Sequence, residues 1–168
     1  DWLESVLDEL SRAETEQDFN DIRRELQEAG YGKRAPGGGK KEPRRARSGP
    51  RVFRSSQGLR ILGGRSNTQN DQLTREAAKS DYWFHTQRVH GSHVILCTEG
   101  RTPDSRSLQE AAMLAAWFSQ GRDAGRTAVD YTQVRNVKKP AGARPGMVVY
   151  DSYQTAYVSP EETLVRAL

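Results

Sequence analysis

The first thirty residues carry apolar positions at helical intervals. Two stripes recur at spacings of mostly three or four residues: Trp2, Leu3, Val6, Leu7 and Leu10, then Phe19, Ile22 and Leu26. Such spacing places apolar side chains on one face of a helix. Thr15 suits the N-cap of the second helix, and Gly30 and Gly32 stand where that helix would end. The pattern predicts a helical hairpin over residues 1–32, which we interpret as the end of a coiled coil.

This periodicity stops at residue 33. Apart from Glu42, the composition of residues 33–50 narrows to Lys, Arg, Gly, Pro, Ala and Ser, and it includes Pro36-Gly37-Gly38-Gly39. Neither helical nor strand spacing can organise such a run. We predict a basic disordered linker here. Its charges include Lys40, Lys41, Arg44, Arg45 and Arg47.

From residue 51 onward, short apolar runs alternate with turn residues. Seven runs have strand character: 52–56, 59–63, 82–85, 92–96, 128–132, 147–150 and 155–158. Gln57-Gly58 lies between the first two, which predicts a hairpin, and Pro140 and Pro145 indicate a loop before the sixth.

Two helices are predicted among these strands. Residues 67–79 have helix-forming composition, and Ser107-Leu108-Gln109-Glu110 has the pattern of a capping box. An apolar face follows that box and ends at Gly121: Leu108, Ala111, Ala112, Ala115 and Phe118. We therefore predict that residues 51–168 form an α+β domain with a mostly antiparallel sheet and two packed helices.

Charge is distributed unevenly along the chain. The net charge is +4, yet residues 33–54 contain nine cations and a single acid, Glu42, so this stretch carries +8 and the remainder is near −4. Such a block attracts polyanions without reading sequence, and nucleic acid is the commonest polyanion in the cytoplasm. A solvated linker explains the same composition equally well.

Several classes of protein are disfavoured by composition. No apolar run approaches the roughly 18 residues that span a bilayer, and no signal-peptide pattern is seen at the start. Cys97 is the only cysteine, which excludes an internal disulfide and suits a small buried side chain in a reduced compartment. We expect a cytoplasmic piece of a longer protein, with no membrane partner and no cofactor.

A glycine-bearing turn precedes the first helix of the domain. Gly63-Gly64-Arg65 is followed by Ser66-Asn67-Thr68-Gln69-Asn70-Asp71, and backbone N–H groups at a helix start beside an arginine suit a phosphate. The run lacks the spacing of a Walker or a dinucleotide-binding motif. The alternative is that Asn67 and Asn70 only cap the helix and satisfy the turn.

The three histidines lie close together in sequence. His85, His90 and His93 match no metal-ligand spacing, and nothing places Ser92 on a nucleophile elbow. We therefore expect no metal and no catalytic residues. In a strand, Asp81, Trp83 and His85 share one face, where the rings could stack on bases or Trp83 could belong to the core.

Six short motifs follow one another in a fixed order. They are Gly64-Arg65-x-Asn67-x-x-Asn70-Asp71, Asp81-x-Trp83-x-His85, Gly91-Ser92-His93-Val94, Glu110-Ala111-Ala112, Tyr131-Thr132 and Val137-Lys138-Lys139. In this order they resemble the NFACT-R domain of the RqcH/NEMF-type factors of ribosome-associated quality control. Bacterial members of that family are often labelled fibronectin-binding protein A. The resemblance covers about residues 51–160.

The resemblance implies a non-catalytic RNA-binding module. Its expected partners are the large ribosomal subunit, tRNA or rRNA, and the rest of its own full-length protein, which in bacterial members supports alanine addition to stalled chains. Phosphate contacts are expected from Arg65, Lys138, Lys139 and the basic linker. Base or ribose contacts are expected from Asn67, Asn70, Trp83 and His85, with Asp71 and His93 as neighbours in the RNA-binding site.

Two other functions stay open from the sequence. The first is a protein-interaction module for a ribosomal partner or extracellular matrix, in which the loop at 63–71 is structural. The second is a small hydrolase centred on Asp81, His85 and His93. Binding that survives ribonuclease treatment would favour the first, and activity on generic esters would favour the second.

Overall fold

The computed structural model describes residues 1–32 and 49–168. The predicted basic linker therefore lies almost entirely outside the described residues. This includes Lys40, Lys41, Arg44, Arg45 and Arg47.

Two helices lie in the region where the sequence predicts a helical hairpin. Helix α1 spans Trp2–Ser11 and helix α2 spans Glu16–Glu28. Thr15 caps α2 as predicted: its hydroxyl accepts from the backbone N–H of Asp18, whose carboxylate accepts from the N–H of Thr15. This reciprocal pair satisfies two N–H groups that have no partner within the helix.

The domain is built on a six-stranded sheet. Its strands are β1 (Arg51–Arg54), β2 (Arg60–Gly63), β3 (Tyr82–Thr86), β4 (Val94–Leu96), β5 (Thr127–Gln133) and β8 (Gln154–Val158). They lie in the order β1-β2-β4-β3-β5-β8, and every neighbouring pair is antiparallel. Strands β6 (Val137–Lys138) and β7 (Val149–Tyr150) form a separate antiparallel pair.

Helices cover both faces of the sheet. Helix α3 spans Asn67–Glu76, α4 spans Ser105–Trp117 and α5 spans Glu162–Arg166. The α+β fold with a mostly antiparallel sheet is therefore confirmed. The sequence did not predict the short α5, which packs on α4 through Val165.

The predicted capping box at residues 107–110 is wrong. Helix α4 begins at Ser105, because Asp104 is its N-cap and accepts a hydrogen bond from the N–H of Ser107 at 2.7 Å. The Glu110 carboxylate instead accepts from the N–H and hydroxyl of Ser56, at 2.8 and 2.6 Å. Asp104, three residues before Ser107, is an equally favoured cap residue that starts the helix earlier, and Glu110 instead holds the β1–β2 turn.

Neighbouring residues of β3 point to opposite cores. Phe84 faces α4 and belongs to the larger cluster, with Leu59, Ile61 and Leu114. Trp83 faces the other side, where α3 and the β6–β7 pair cover the sheet. Successive side chains of a strand alternate between faces, so one strand supplies the central aromatic residue of each core.

The hairpin packs on the domain through a third apolar cluster. Trp2, Val6 and Ile22 are buried together, and Met147 from the loop before β7 packs against them. The indole N–H of Trp2 donates to the carbonyl of Pro145 at 3.0 Å. The hairpin therefore forms part of the domain's packing. Within residues 1–32 and 49–168, no helix is long and apolar enough to cross a membrane.

Candidate nucleic-acid interface

Asn70 connects three separate parts of the chain. Its side-chain oxygen accepts from the backbone N–H of His93 at 3.2 Å, and its amide nitrogen donates to the Glu9 carboxylate at 3.3 Å. A Cβ atom at Gly64 would lie 1.8 Å from the same oxygen, so only glycine permits this close approach. Asn70 is 0% exposed, and in this conformation it cannot touch a ligand.

Asn67 and Asp71 attach α3 to the loop before β7. Asn67 donates to the hydroxyl of Ser5 at 3.0 Å, and its side chain lies against Gly146, where a Cβ would approach to 2.4 Å. Asp71 accepts from the N–H of Gly146 at 3.0 Å and pairs with Lys139 at 3.1 Å. These contacts give the predicted recognition loop a clear structural role.

The guanidinium of Arg65 faces the hairpin. It contacts the carboxylates of Glu14 and Asp18 at 3.3 and 3.2 Å, and its Nε donates to the carbonyl of Gly49. Its side chain is 22% exposed. Two carboxylates therefore already balance the positive charge of Arg65, which the sequence analysis assigned to a phosphate contact.

Lys138 and Lys139 are exposed in β6 and the loop that follows it. Besides its pair with Asp71, Lys139 donates to the carbonyls of Arg144 and Met147 at 2.7 and 3.1 Å. Lys138 presents its charge to solvent. The two lysines therefore differ, since Lys139 holds the loop closed while Lys138 is available to a phosphate.

A cleft of about 290 Å³ opens between α1 and the sheet. It contains all three histidines of the chain. We call it the histidine cleft and define it by Glu9, Trp83, His85, Arg88, His93 and Tyr150. Four of these side chains have aromatic rings, and the indole and imidazole rings of Trp83 and His85 stack with centroids 5.8 Å apart and planes 10° apart.

The surroundings of both inner histidines favour the neutral form of the ring. The indole N–H of Trp83 donates to Nδ1 of His93 at 3.2 Å, so that nitrogen must be unprotonated. Burial, with the neighbouring His85 and Lys139, holds the pKa of His93 well below its usual value, and burial likewise lowers the pKa of His85. Neutral imidazoles suit stacking and hydrogen bonding to a base better than direct binding of phosphate.

Asp81 is engaged away from the histidines. Its carboxylate accepts from the N–H and hydroxyl of Thr98 at 2.9 and 3.2 Å, and from the N–H of Ala78 at 3.0 Å. The hydrolase hypothesis required this carboxylate beside His85 or His93. Among the described residues, no group of three or more His, Cys, Asp or Glu side chains is placed to hold a metal.

Four of the predicted site residues line the histidine cleft: Asn67, Trp83, His85 and His93. Arg65, Asn70, Asp71, Lys138 and Lys139 lie outside it. The sequence missed Glu9, because its contact with the domain spans about sixty residues, and it missed Arg88, which stands in a turn without a motif. Tyr150 could have been noticed as an aromatic residue in a predicted strand.

Comparison with known proteins agrees with this architecture. The family model of the NFACT protein RNA binding domain matches residues 50–151. The chain belongs to this NFACT-R family. The NFACT-R match begins after the hairpin, whereas similarity to curated relatives extends across nearly the whole chain. The similarity to those relatives therefore includes both the hairpin and the domain.

The relatives are bacterial proteins of greater length. The chain is 39% identical over 166 residues to "Rqc2 homolog RqcH" of Bacillus subtilis and 36% identical over 169 residues to the protein of that name from Streptococcus suis. The matched region makes up 98–99% of this chain and only 29–30% of those proteins. A solved structure, the C-terminal part of the fibronectin/fibrinogen-binding protein from Streptococcus suis, matches with a TM-score of 0.89 at 36% identity. That match covers 99% of this chain and 65% of the other.

Two buried carboxyls where the hairpin meets the NFACT-R domain make stability depend on pH. Burial raises the pKa of Glu9 to about 7 against the opposing charge of Arg12, and burial with the charge of Glu9 raises the pKa of Glu25 to about 8. Both values exceed the unfolded value of 4.5, so this contribution to stability is lost as the pH rises through them. His85 and His93 have the opposite effect. Their pKa values are lowered in the folded state, so they reduce stability when the pH falls below the unfolded value of 6.5.

We therefore expect the free energy of unfolding to fall by on the order of 1–2 kcal/mol between about pH 6.5 and about pH 8. Urea denaturation at both pH values measures this fall. Glu25→Gln should remove most of it, because Glu25 has the higher pKa of the two and a neutral amide has no proton to lose. Glu28→Gln on the same helix changes an exposed carboxylate and should keep the full fall. A wild-type stability that is flat or rises across this window would contradict the prediction.

Proposed function

We propose that this chain is the RNA-binding module of a ribosome-associated quality control factor and that it acts by binding without catalysis of its own. In the full-length protein it would help to engage tRNA or rRNA on an obstructed large ribosomal subunit in the cytoplasm. Support for alanine addition to stalled chains would belong to that whole protein. The observation that carries the proposal is the match of residues 50–151 to the NFACT RNA-binding family.

The surface chemistry of the described residues is compatible with this role. Arg135, Lys138 and Arg144 are exposed on or near the loop between β5 and β7, and Arg88 is exposed beside the histidine cleft. Phosphate neutralisation by such cations supplies most of the nonspecific affinity for nucleic acid. The predicted linker would add seven further cations and one acid, Glu42, from outside the described residues.

The test measures the binding of tRNA and of duplex DNA to the full chain across a salt series, with fluorescence anisotropy as the readout. Arg135→Gln with Lys138→Gln removes two exposed cations of the proposed surface. We expect this double variant to lower the slope of log affinity for tRNA against log salt by about 1.5 to 2. We also expect tRNA to bind more tightly than DNA, because ribose hydroxyls and unpaired bases are available only in the RNA.

The matched control removes two exposed cations elsewhere. Arg101→Gln with Arg106→Gln changes the net charge equally, at and just before the start of α4 on the opposite face. It should leave the slope nearly unchanged. Equal effects of the two double variants, together with equal affinity for tRNA and DNA, would reduce the interaction to nonspecific charge and overturn the proposal. Deleting residues 1–50 is a poorer test, because it uncovers the interface that Trp2 and Val6 bury.

A second function has one observation in its favour. The solved relative from Streptococcus suis bears the name fibronectin/fibrinogen-binding protein. A protein-interaction module would use the 63–71 loop only to hold the hairpin, which agrees with the contacts of Asn67 and Asn70. Binding of the chain to immobilised fibronectin that persists after ribonuclease treatment, without binding to tRNA, would place this function first.

A further inference from the structure

The histidine cleft has the dimensions of a small-ligand site. Its volume of about 290 Å³ is close to the lower limit, about 300 Å³, of typical ligand pockets. Such a volume suits one planar heterocycle with its sugar. It lies between α1 and the sheet, and Ser5 and Glu9 of the hairpin line one side of it.

Its walls offer ring surfaces at several angles. Besides the stacked pair of Trp83 and His85, the indole ring lies 4.7 Å from Tyr150 at 51°, and the His93 ring lies 5.1 Å from His85 at 81°. The hydroxyl of Tyr150 donates to Asp130 at 2.6 Å, which fixes that ring in place. Aromatic and imidazole rings held rigidly in this way are the surfaces on which proteins stack unpaired bases.

One carboxyl of the cleft wall lacks a full set of partners. Glu9 lines the cleft and is 3% exposed, and its Oε2 atom has no hydrogen-bond partner among residues 1–32 and 49–168. Its nearest ionic neighbour is Nη2 of Arg12 at 3.8 Å. A carboxyl group can accept from the exocyclic amino group of a base, and a buried oxygen without a partner gains most from such a bond.

A cation stands beside the same cleft. Arg88 is exposed and makes no ion pair within the described part of the chain. Its φ of +64° lies in the left-handed region, which a residue with a side chain rarely adopts. Backbone strain of this kind is often found at binding sites, where it holds a side chain in a required direction.

We propose that the histidine cleft binds a single unpaired nucleobase of the RNA, with the adjoining phosphate on Arg88. The base would stack on the half-buried rings of His85 and Tyr150, which Trp83 supports from the core, and present an amino group to Glu9. This inference rests on the proposed RNA-binding function and adds to it the part of the RNA that is recognised. Duplex RNA would be excluded, because its bases are paired and stacked.

The three histidines provide a spectroscopic test without background, since the chain has no others and all line the cleft. Their ring nitrogens are followed by ¹H–¹⁵N correlation spectra of the full chain. A mixed-sequence single-stranded RNA, the same RNA as a duplex, and the four nucleoside monophosphates are added separately. We expect the single strand to shift the resonances of His85 and His93, and the duplex to leave them in place.

Two variants test the site without touching its core. Val89→Trp adds bulk from a half-buried position in the cleft wall, and we expect it to abolish the shifts and to weaken single-strand binding about tenfold. Val52→Trp is the matched control at an exposed valine of β1 and should bind as the parent does. Arg88→Gln should lower the salt slope for single-stranded RNA by about 1, which provides a second readout if Val89→Trp is unstable.

The outcomes separate this inference from the proposed function. The chain could bind RNA without any shift of the histidine resonances and without any effect of Val89→Trp or Arg88→Gln. That result would overturn the proposal that the cleft binds a base and would leave the RNA-binding function standing. Shifts caused by the monophosphates in a chain that binds no RNA would assign the cleft to a free nucleotide and overturn both statements about RNA. Absence of binding and of shifts with every probe would overturn both as well.

Discussion

Trp83→Ala is expected to lower the free energy of unfolding by about 3–5 kcal/mol. The indole is 1% exposed and is the largest side chain of the core between the sheet and α3. Removing it leaves a cavity among Leu73, Ile95 and Val137 and takes the hydrogen-bond donor away from Nδ1 of His93. Urea denaturation of the parent and the variant measures the difference.

Trp83→Phe is the control for this prediction. It keeps a ring in the core but loses the N–H donor to His93, so its cost should be less than half that of the alanine variant. A loss below about 1 kcal/mol for Trp83→Ala would mean that this ring is not packed as described. The ring would then be free to serve as an exposed stacking surface for bases.

Asn70→Ala is expected to cost about 2–4 kcal/mol, because it leaves two buried groups without partners. These are the N–H of His93 and the Oε1 atom of Glu9, which lie on different elements. The loss should appear as weakened docking of the hairpin together with reduced global stability. Denaturation curves give the total, and hydrogen exchange of the α1 amides reports the docking.

Gln72→Ala on the same helix is the matched control for Asn70→Ala. Its amide bonds to Glu76 at the surface, and the substitution should change stability by no more than about 0.5 kcal/mol. If Asn70→Ala were equally mild and instead weakened RNA binding alone, Asn70 would be an RNA contact exposed in solution. The buried arrangement described above would then be wrong for the binding state.

Trp83 and Asn70 belong to parts of the predicted RNA site that have different roles. The segment 63–71, which includes the first turn of α3, holds α1 against the sheet, and that docking closes one wall of the histidine cleft. Mutating the loop would therefore reduce RNA binding even if none of its side chains touched RNA. Measurements of stability beside each binding experiment separate the two effects.

Local patterns in the sequence were sufficient for most of the elements. The apolar stripes and the Thr15 cap predicted α1 and α2, and the alternating runs predicted the strands of the sheet. These features depend on residues a few positions apart, which is the distance over which helix and strand spacing act. The error at residues 107–110 was also local, since two possible caps overlapped and the pattern could not rank them.

The sequence also determined the family, because six short motifs in one order carry that information without any coordinates. It determined that Trp83 and His85 share one face of a strand, as the stacked rings confirm. It did not determine whether each polar motif residue binds RNA or supports the fold. That choice for Asn67 and Asn70 remains a prediction, although their burial favours the structural role.

Only the tertiary structure decided what surrounds the histidines. The cleft needs Glu9 from α1, Trp83 and His85 from β3, and Tyr150 from β7, which are separated by up to about 140 positions in the chain. The sequence specifies each residue's own conformational preference, but their meeting depends on which apolar faces pack and on the hairpin docking through Trp2, Val6 and Met147. Packing depends on contacts between residues that are far apart in the chain, so a short window of sequence cannot predict it.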